Sequence, residues 1–206
     1  MPRARLTLDI EGAQRFHGHW CPGLAIGIRV AEVALREIGP HAEDEEVVAI
    51  VETDMCAVDA IQYLTGCTFG KGNLIHLDYG KNAFTFIRRS DGRAIRVVLR
   101  PDRGEGPSAE EQALLEIARD EQQARPEERQ RAEAMLRQAR IQAILERPLD
   151  ELFELQEVRP TIPAPARIHG SIRCAGCGEM VMETRARLFQ GENFCLPCFQ
   201  VRDRRY

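Results

Sequence analysis

Four cysteines in the last third of the chain have the spacing of a zinc-binding ribbon. They form two Cys-x-x-Cys pairs separated by seventeen residues: Cys174, Cys177, Cys195 and Cys198. Zinc favours four tetrahedral ligands, and two residues between paired cysteines let one tight turn place both sulfurs on the same ion. Four thiolates leave no open coordination position, so we expect a structural zinc. A redox-active Cys-x-x-Cys pair is the competing interpretation, but it does not explain why two pairs flank one short segment.

A second group of chemically active side chains lies near the N-terminus. His17, His19 and Cys21 fall within five residues, and the adjacent Pro22 suits the first position of a helix. A helix N-terminus favours negative charge, so it should favour the thiolate of Cys21. Two imidazoles beside a thiolate predict a second metal site or a reactive thiol.

Cys56 occupies a similar position at the start of a second predicted helix. Asp54, two residues earlier, is expected to cap that helix. Asp54 and Asp59 are also candidates to orient an imidazole or to join the ligand set. We therefore expect the two helix starts to face one site.

Two further residues have a weaker chemical signal. From the residues alone, Cys67 is better explained as a small buried side chain than as a ligand. Lys71 lies in a glycine-rich loop, residues 66–72, which fails the Walker pattern in spacing and in lacking Ser or Thr after the lysine. The loop lets backbone approach a ligand, and Lys71 is a candidate to hold an anion.

Hydrophobic periodicity predicts the elements that position these side chains. A short helix over residues 9–15 precedes a helix from Leu24 to Ile38, and a further helix ends at Gly66. Strands are predicted over residues 47–51, 74–77, 83–88 and 94–99. This α-β-α-β-β-β order predicts an α+β core, with helices packed on one face of a mixed sheet.

The remainder of the chain divides into a helical part and the ribbon. Residues 108–147 have a helical composition, with a capping box at Ser108 and an interruption at Pro126. Residues 160–165 are expected to form a stiff, proline-rich linker. We therefore predict an α+β core over residues 1–104, a helical extension over 105–159, and a linker with the ribbon over 160–206.

The composition argues against several classes of function. The 206 residues have a formal net charge of −4, which argues against a nucleic-acid partner. The sequence has no apolar run long enough to span a membrane and no secretory signal, so a cytoplasmic location is expected. In that compartment the seven cysteines indicate metal ligands, reactive thiols or core residues rather than disulfides.

Two long runs of residues resemble a known family. The run FHGHWCPGLAIGIR, from Phe16 to Arg29, resembles the opening motif of the FmdE family, which is named after one component of molybdenum or tungsten formylmethanofuran dehydrogenase. The run ETDMCAVDAIQYLTGCTFGKGN, from Glu52 to Asn73, resembles a second stretch of the same family. The ribbon resembles zinc fingers of the DksA/TraR type.

The resemblance implies an α+β core, a homodimer and a metal-binding cleft. Carried over residue by residue, that cleft is lined by His17, His19, Cys21, Asp54, Cys56, Cys67 and Lys71. The other subunits of a molybdenum or tungsten enzyme become candidate partners. The resemblance does not imply that this chain oxidises formylmethanofuran, because the pterin and iron–sulfur chemistry of that complex belongs to other subunits.

Two functions remain open at this point. The first is a metal-binding enzyme or accessory factor linked to molybdenum or tungsten formylmethanofuran dehydrogenase-type metabolism. Its chemistry would depend on six residues of the cleft: Cys21, Cys56, His17, His19, Asp54 and Lys71. The alternative is a regulatory or binding module, in which the ribbon recognises protein or nucleic acid and the core senses a small ligand.

Overall fold

The computed structural model describes residues 7–101, 108–120 and 123–202. Their contacts divide the chain into two units, the first ending at Pro165 and the second beginning at Ala166. The predicted boundary between residues 104 and 105 lies outside the described residues. Within the described part of the chain, no helix combines the length and apolar character needed to cross a membrane.

The first unit contains a five-stranded mixed sheet. Its elements in chain order are α1 (Ile10–His17), α2 (Pro22–Glu37), β1 (Val47–Val51), α3 (Ala57–Thr65), β2 (Leu74–His76), β3 (Ala83–Arg88), β4 (Ala94–Leu99), α4 (Ala109–Arg119), α5 (Pro126–Glu146), α6 (Leu149–Leu152) and β5 (Phe153–Val158). The strand order is β2-β1-β3-β4-β5, in which β1 and β2 are parallel and the other neighbours are antiparallel. The predicted α+β fold with a mixed sheet is confirmed.

The main core lies between one face of the sheet and the helices α2 and α3. Alternate residues of a strand face opposite sides of a sheet, and the strand residues of this core are Val47, Ala49, Val51, Leu74, Phe84, Phe86, Ile95, Val97 and Phe153. A second cluster joins α1 to α2 and α3 through buried Ala13, Leu24 and Ala60. Because α1, α2 and α3 share these cores, their ends are held in fixed relative positions.

The ends of the first helices show where local sequence decided the structure. Pro22 begins α2 as predicted. Gly66 ends α3 with a φ of +72°, and its backbone N–H donates to Gln62 O. The predicted cap by Asp54 is wrong, because Cys56 occupies the N-cap position of α3 and Asp54 is exposed. Helix α1 continues beyond the predicted residue 15 and ends at His17.

One strand of the sheet was not expected from the sequence. Residues 153–158 were assigned to the helical extension, but they form β5, which pairs antiparallel with β4 from Leu99↔Phe153 to Ala94↔Val158. The segment is rich in Glu, Leu and Gln, which favour helices locally. Here the unpaired backbone groups of β4 and the burial of Phe153 favour the strand instead.

The second unit consists of two small hairpins and a short helix. Its elements are β6 (Ser171–Arg173), β7 (Met180–Met182), a 3₁₀ turn (Glu183–Arg185), β8 (Ala186–Phe189), β9 (Glu192–Cys195) and α7 (Leu196–Arg202). Strand β6 pairs with β7, and β8 pairs with β9. The single strand expected between the cysteine pairs is therefore wrong, because the 3₁₀ turn divides it between the two hairpins.

Helices α2 and α3 approach each other closely at a glycine. A Cβ atom added to Gly27 would lie 2.2 Å from the backbone oxygen of Ala57 and 2.7 Å from its Cα. Only glycine allows this contact without a shift of one helix. The contact lies one residue after Cys56, so it fixes the start of α3 against α2.

We expect Gly27→Ala to lower the free energy of unfolding by about 1–3 kcal/mol, because the added methyl group overpacks this contact. Urea denaturation followed by circular dichroism measures the change. Gly39→Ala is the control, because its added methyl group would meet nothing within 4 Å. Equal stability of the two variants would contradict a tight α2–α3 contact.

Candidate functional site

The loop between α1 and α2 brings two histidines and a cysteine together. His17 is the last residue of α1, which Gly18 terminates with a φ of +93°. Cys21 is the N-cap residue of α2. One candidate ligand atom from each of His17, His19 and Cys21 lies within 4.8 Å of the others. We call these three residues the core cluster.

The spacing inside the core cluster matches the separation of two ligands on one metal ion. His17 Nε2 lies 3.6 Å from Cys21 Sγ. With Zn–N near 2.0–2.1 Å, Zn–S near 2.3 Å and a tetrahedral angle, two such ligand atoms are about 3.5 Å apart. The rings of His17 and His19 have centroids 4.5 Å apart. No rearrangement of the His17 or Cys21 side chain is needed to hold a common ion.

Asp59 fixes the orientation of the His17 ring. Its Oδ2 accepts a hydrogen bond from His17 Nδ1 at 2.7 Å. A proton on Nδ1 leaves the Nε2 lone pair free, and Nε2 is the atom that faces Cys21. Because only 8% of the His17 side chain is exposed, the carboxylate is the partner that a buried metal-ligating imidazole requires. The predicted role of Asp59 in orienting an imidazole is therefore met.

Cys21 and Cys56 lie next to each other at the starts of α2 and α3. Cys21 Sγ accepts a hydrogen bond from the backbone N–H of Leu24 at 3.3 Å. A Cβ atom added to Gly23 would lie 3.7 Å from Cys56 Sγ and 3.8 Å from Cys21 Sγ. Burial, together with the neighbouring Cys21 thiol, raises the pKa of the Cys56 thiol. Gly23 was not singled out by the sequence, although its missing side chain allows this approach.

The other residues expected in the cleft lie elsewhere. Cys67 and Lys71 follow the C-terminal end of α3, whereas Cys56 precedes its N-terminal end. A nine-residue helix is about 13 Å long, so α3 separates these two residues from the core cluster. Cys67 is fully buried and its thiol donates to Val47 O. Burial raises the pKa of that thiol.

Lys71 and Asp54 have positions of their own. Lys71 Nζ donates to the backbone oxygens of Ala42 at 2.9 Å and Glu43 at 3.3 Å. Its charge is thus directed to the loop before β1. Asp54 is exposed, and among the described residues it is not part of the group whose candidate ligand atoms converge.

The four ribbon cysteines form a second group of converging ligands. One sulfur from each of Cys174, Cys177, Cys195 and Cys198 lies within 4.8 Å of the others. Cys177 Sγ and Cys195 Sγ are 3.9 Å apart, and two thiolates at 2.3 Å from a tetrahedral zinc are about 3.8 Å apart. A Cβ atom on Gly176 would lie 2.9 Å from Cys198 Sγ, which explains the glycine in the first pair.

The electrostatics of the ribbon cluster favour a bound cation. Backbone N–H groups, chiefly of Cys195 and Cys177, lower the pKa of Cys174 to about 6. The neighbouring thiol of Cys195 raises the pKa of Cys198 to about 12. Four such sulfurs cannot all ionise together unless a cation offsets their mutual repulsion. The donor set and its geometry therefore fit zinc.

The aromatic core of the second unit is small. Phe189 packs edge-on against Phe194 and Phe199, with ring centroids 6.5 and 5.9 Å apart. Phe194 is the large apolar side chain of this unit that is fully buried among the described residues. So little buried apolar surface does not maintain a fold by itself.

Comparison with known proteins gives the same assignment for both units. Residues 16–154 match the family model described as FmdE, molybdenum formylmethanofuran dehydrogenase operon. Residues 167–204 match the prokaryotic DksA/TraR C4-type zinc finger.

Two individual proteins are similar along most of the chain. A probable S-adenosyl-L-methionine-binding protein of Archaeoglobus fulgidus is 34% identical over 204 residues, which are 96% of this chain and 54% of that protein. The chain thus spans about half the length of this relative. The crystal structure of a tungsten formylmethanofuran dehydrogenase FmdE-like protein from Syntrophus aciditrophicus superimposes with a TM-score of 0.59, covering 95% of this chain and 92% of that one. At 23% identity this likeness establishes the fold.

The FmdE match covers more than half of the chain, including the core cluster and Asp59. The ribbon match includes all four of its cysteines. The chain therefore belongs to the FmdE family and carries a DksA/TraR C4-type zinc finger after its FmdE core.

Proposed function

We propose that the FmdE core binds one transition-metal ion through His17, His19 and Cys21, in addition to a structural zinc ion in the finger. The observation that carries this proposal is the 3.6 Å separation of His17 Nε2 and Cys21 Sγ, with His17 Nδ1 held by Asp59. Those two distances give a donor pair at metal-binding separation and the carboxylate that orients it. A closed four-thiolate site, by contrast, supports only a structural role for the finger.

The core cluster has the ligand count of a reactive metal site. Three protein ligands leave a fourth tetrahedral position for water or substrate. His19 is exposed, so that position is accessible from solvent. A metal ion there would supply Lewis-acid chemistry or a lowered pKa of bound water. Imidazole and thiolate donors suit zinc, copper and nickel better than magnesium or calcium.

We further propose that the chain acts as an enzyme or accessory factor in molybdenum or tungsten formylmethanofuran dehydrogenase-type metabolism. Support comes from the description of the family model and from the tungsten FmdE-like structure that shares its fold. In this proposal the chain is a cytoplasmic homodimer that associates with the subunits of such an enzyme. Copurification of those subunits with the tagged full chain, and its loss in a cluster variant, would test the association.

S-adenosyl-L-methionine is a second candidate ligand, favoured by the 34% identical relative whose name describes its binding. The amino and carboxylate groups of the methionyl moiety are hard donors that can occupy open positions on a metal ion. Equilibrium dialysis with the metal-loaded protein measures this binding. We expect binding that requires the core metal; the absence of binding to the loaded protein would remove this ligand.

Replacing Asp59 with alanine should weaken the core metal site without removing a ligand. The His17 ring then loses the carboxylate that fixes its tautomer, and such losses reduce metal affinity by about 10–100-fold. Competition with a chromophoric chelator measures the affinity of each metal equivalent separately. The equivalent in the finger should be unaffected.

Asp54→Ala is the matched control for this experiment. It removes an exposed carboxylate close to Cys56 that is not part of the converging group. Its metal affinities should equal those of the wild type. Equal affinities in the Asp59 and Asp54 variants would show that Asp59 has no part in metal binding.

A further inference from the structure

Cys21 and Cys56 form a pair of thiols in addition to the core cluster. Both sulfurs lie within 3.8 Å of the point where a Cβ atom on Gly23 would stand. That Cβ would also lie 3.0 Å from Cys56 Cβ, so the backbone of α2 approaches the Cys56 side chain directly. Cys56 is not among the residues whose candidate ligand atoms converge with those of the histidines. Its position therefore suits a reaction with Cys21 better than a place in the ligand set.

The surroundings of the pair allow both thiols to react. Each side chain is half-buried, so a small molecule can reach it. Each cysteine precedes the first residue of a helix, where the N-terminal end of the helix dipole favours a thiolate. Cys67, in contrast, is fully buried. Among the core cysteines, only Cys21 and Cys56 are both accessible and adjacent.

We propose that Cys21 and Cys56 are a redox-active dithiol that closes to a disulfide by exchange with a small-molecule disulfide, and that closure removes Cys21 from metal binding. The dithiol itself follows from the geometry of the two cysteines. Its effect on the metal rests on the proposed function, because Cys21 is the thiolate of the proposed metal site.

The exchange proceeds in two balanced steps. One thiolate of the pair attacks a sulfur of the small disulfide, and a small thiolate leaves. The second cysteine thiolate then attacks the cysteine sulfur of this mixed disulfide, and the second small thiolate leaves. The protons lost by the two cysteines end on the two small thiols. The protein pair is oxidised by two electrons and the small disulfide is reduced by two.

The disulfide competes with the metal because both need the same sulfur. A sulfur in a disulfide is no longer a thiolate, and thiolate is the metal-ligating form. After closure, the core cluster retains two imidazoles as ligands. The site would therefore release its metal under oxidising conditions and recover it after reduction.

Peptide mapping of the full-length protein tests this proposal. The protein is incubated with oxidised glutathione, free thiols are alkylated, and tryptic peptides are analysed by mass spectrometry. Residues 16–29 contain Cys21, and residues 37–71 contain both Cys56 and Cys67. We expect these two peptides to be cross-linked in the wild type and in Cys67→Ser, and not in Cys56→Ser.

The variants make each outcome decisive. Circular dichroism first establishes that both variants are folded. Separate alkylation of Cys21 and Cys56 in the wild type, or a cross-link that is lost in Cys67→Ser and kept in Cys56→Ser, would overturn the dithiol. These results do not depend on whether the core binds metal.

Metal content measured on the same samples tests the link to the proposed function. We expect the oxidised wild type to lose the core equivalent and to regain it after reduction with dithiothreitol. A cross-linked protein that keeps this equivalent would overturn the competition for Cys21. A reduced protein that lacks the core equivalent would overturn the proposed metal site and leave the dithiol standing.

Discussion

Cys174→Ser is expected to unfold the second unit while the FmdE core stays folded. Cys174 is the buried ligand of the finger, and its sulfur accepts backbone N–H bonds from Gly176 and Cys195, both at 3.3 Å. A serine hydroxyl is a poor zinc ligand at neutral pH, so the four-thiolate site is lost. Structural zinc in such modules is worth about 10–16 kcal/mol, which is more than the folding free energy of a typical domain.

The small aromatic core explains why this loss is not compensated. Phe189, Phe194 and Phe199 contact one another, but the hairpins around them are each two-stranded. Isolated two-stranded hairpins are marginally stable at best in water. Without zinc, the free energy of this unit is expected to favour the unfolded chain.

Hydrogen exchange with mass spectrometry measures the effect separately in each unit. In Cys174→Ser, amides of residues 166–202 should exchange at rates near those of an unfolded peptide, and amides of the main core should keep their protection. Chelation of zinc from the wild type should give the same pattern. Retained protection of the finger in the variant would contradict a metal-dependent fold.

Cys21→Ser is expected to remove the core metal and leave the fold unchanged. Serine is a favoured N-cap residue, so it can still accept the Leu24 N–H that Cys21 accepts now. The helix α2 should therefore begin at the same residue, with stability within about 1 kcal/mol of the wild type. The hydroxyl oxygen does not replace a thiolate as a ligand for zinc or copper.

The expected effect of this substitution is the loss of a whole class of sites. Two imidazoles, one of them exposed, remain as ligands. Metal competition should show the finger equivalent at its wild-type affinity and a core affinity lower by at least about 100-fold, which corresponds to about 2.7 kcal/mol. Cys67→Ser is the matched control, because its sulfur lies at the other end of α3 and donates to Val47 O. Equal losses in both variants would indicate a general effect of removing cysteine.

The features that the sequence predicted well are those that neighbouring residues determine. The spacing of the ribbon cysteines and the closeness of His17 to Cys21 depend on one or two turns of chain. The strands β3 and β4 have the predicted bounds, because their β-branched and apolar residues agree with their burial. Capping at Ser108 was also predicted from four residues.

The features that were missed depend on contacts distant in sequence. Residues 153–158 favour a helix locally, and only the free edge of β4 makes them a strand. Cys67 and Lys71 lie in the same family motif as Cys56, but the helix α3 between them carries them away from the core cluster. The Asp59–His17 hydrogen bond joins residues 42 positions apart. Sequence supplied both residue types, but only the packing of α1 on α3 sets their distance.

The number of metal ions bound per chain tests the central claim most directly. Native mass spectrometry of the reduced full-length protein gives this number together with the identity of each metal. We expect two ions per chain, one lost in Cys21→Ser and the other lost in Cys174→Ser. A single ion per chain, kept in Cys21→Ser and lost in Cys174→Ser, would contradict a metal site in the FmdE core.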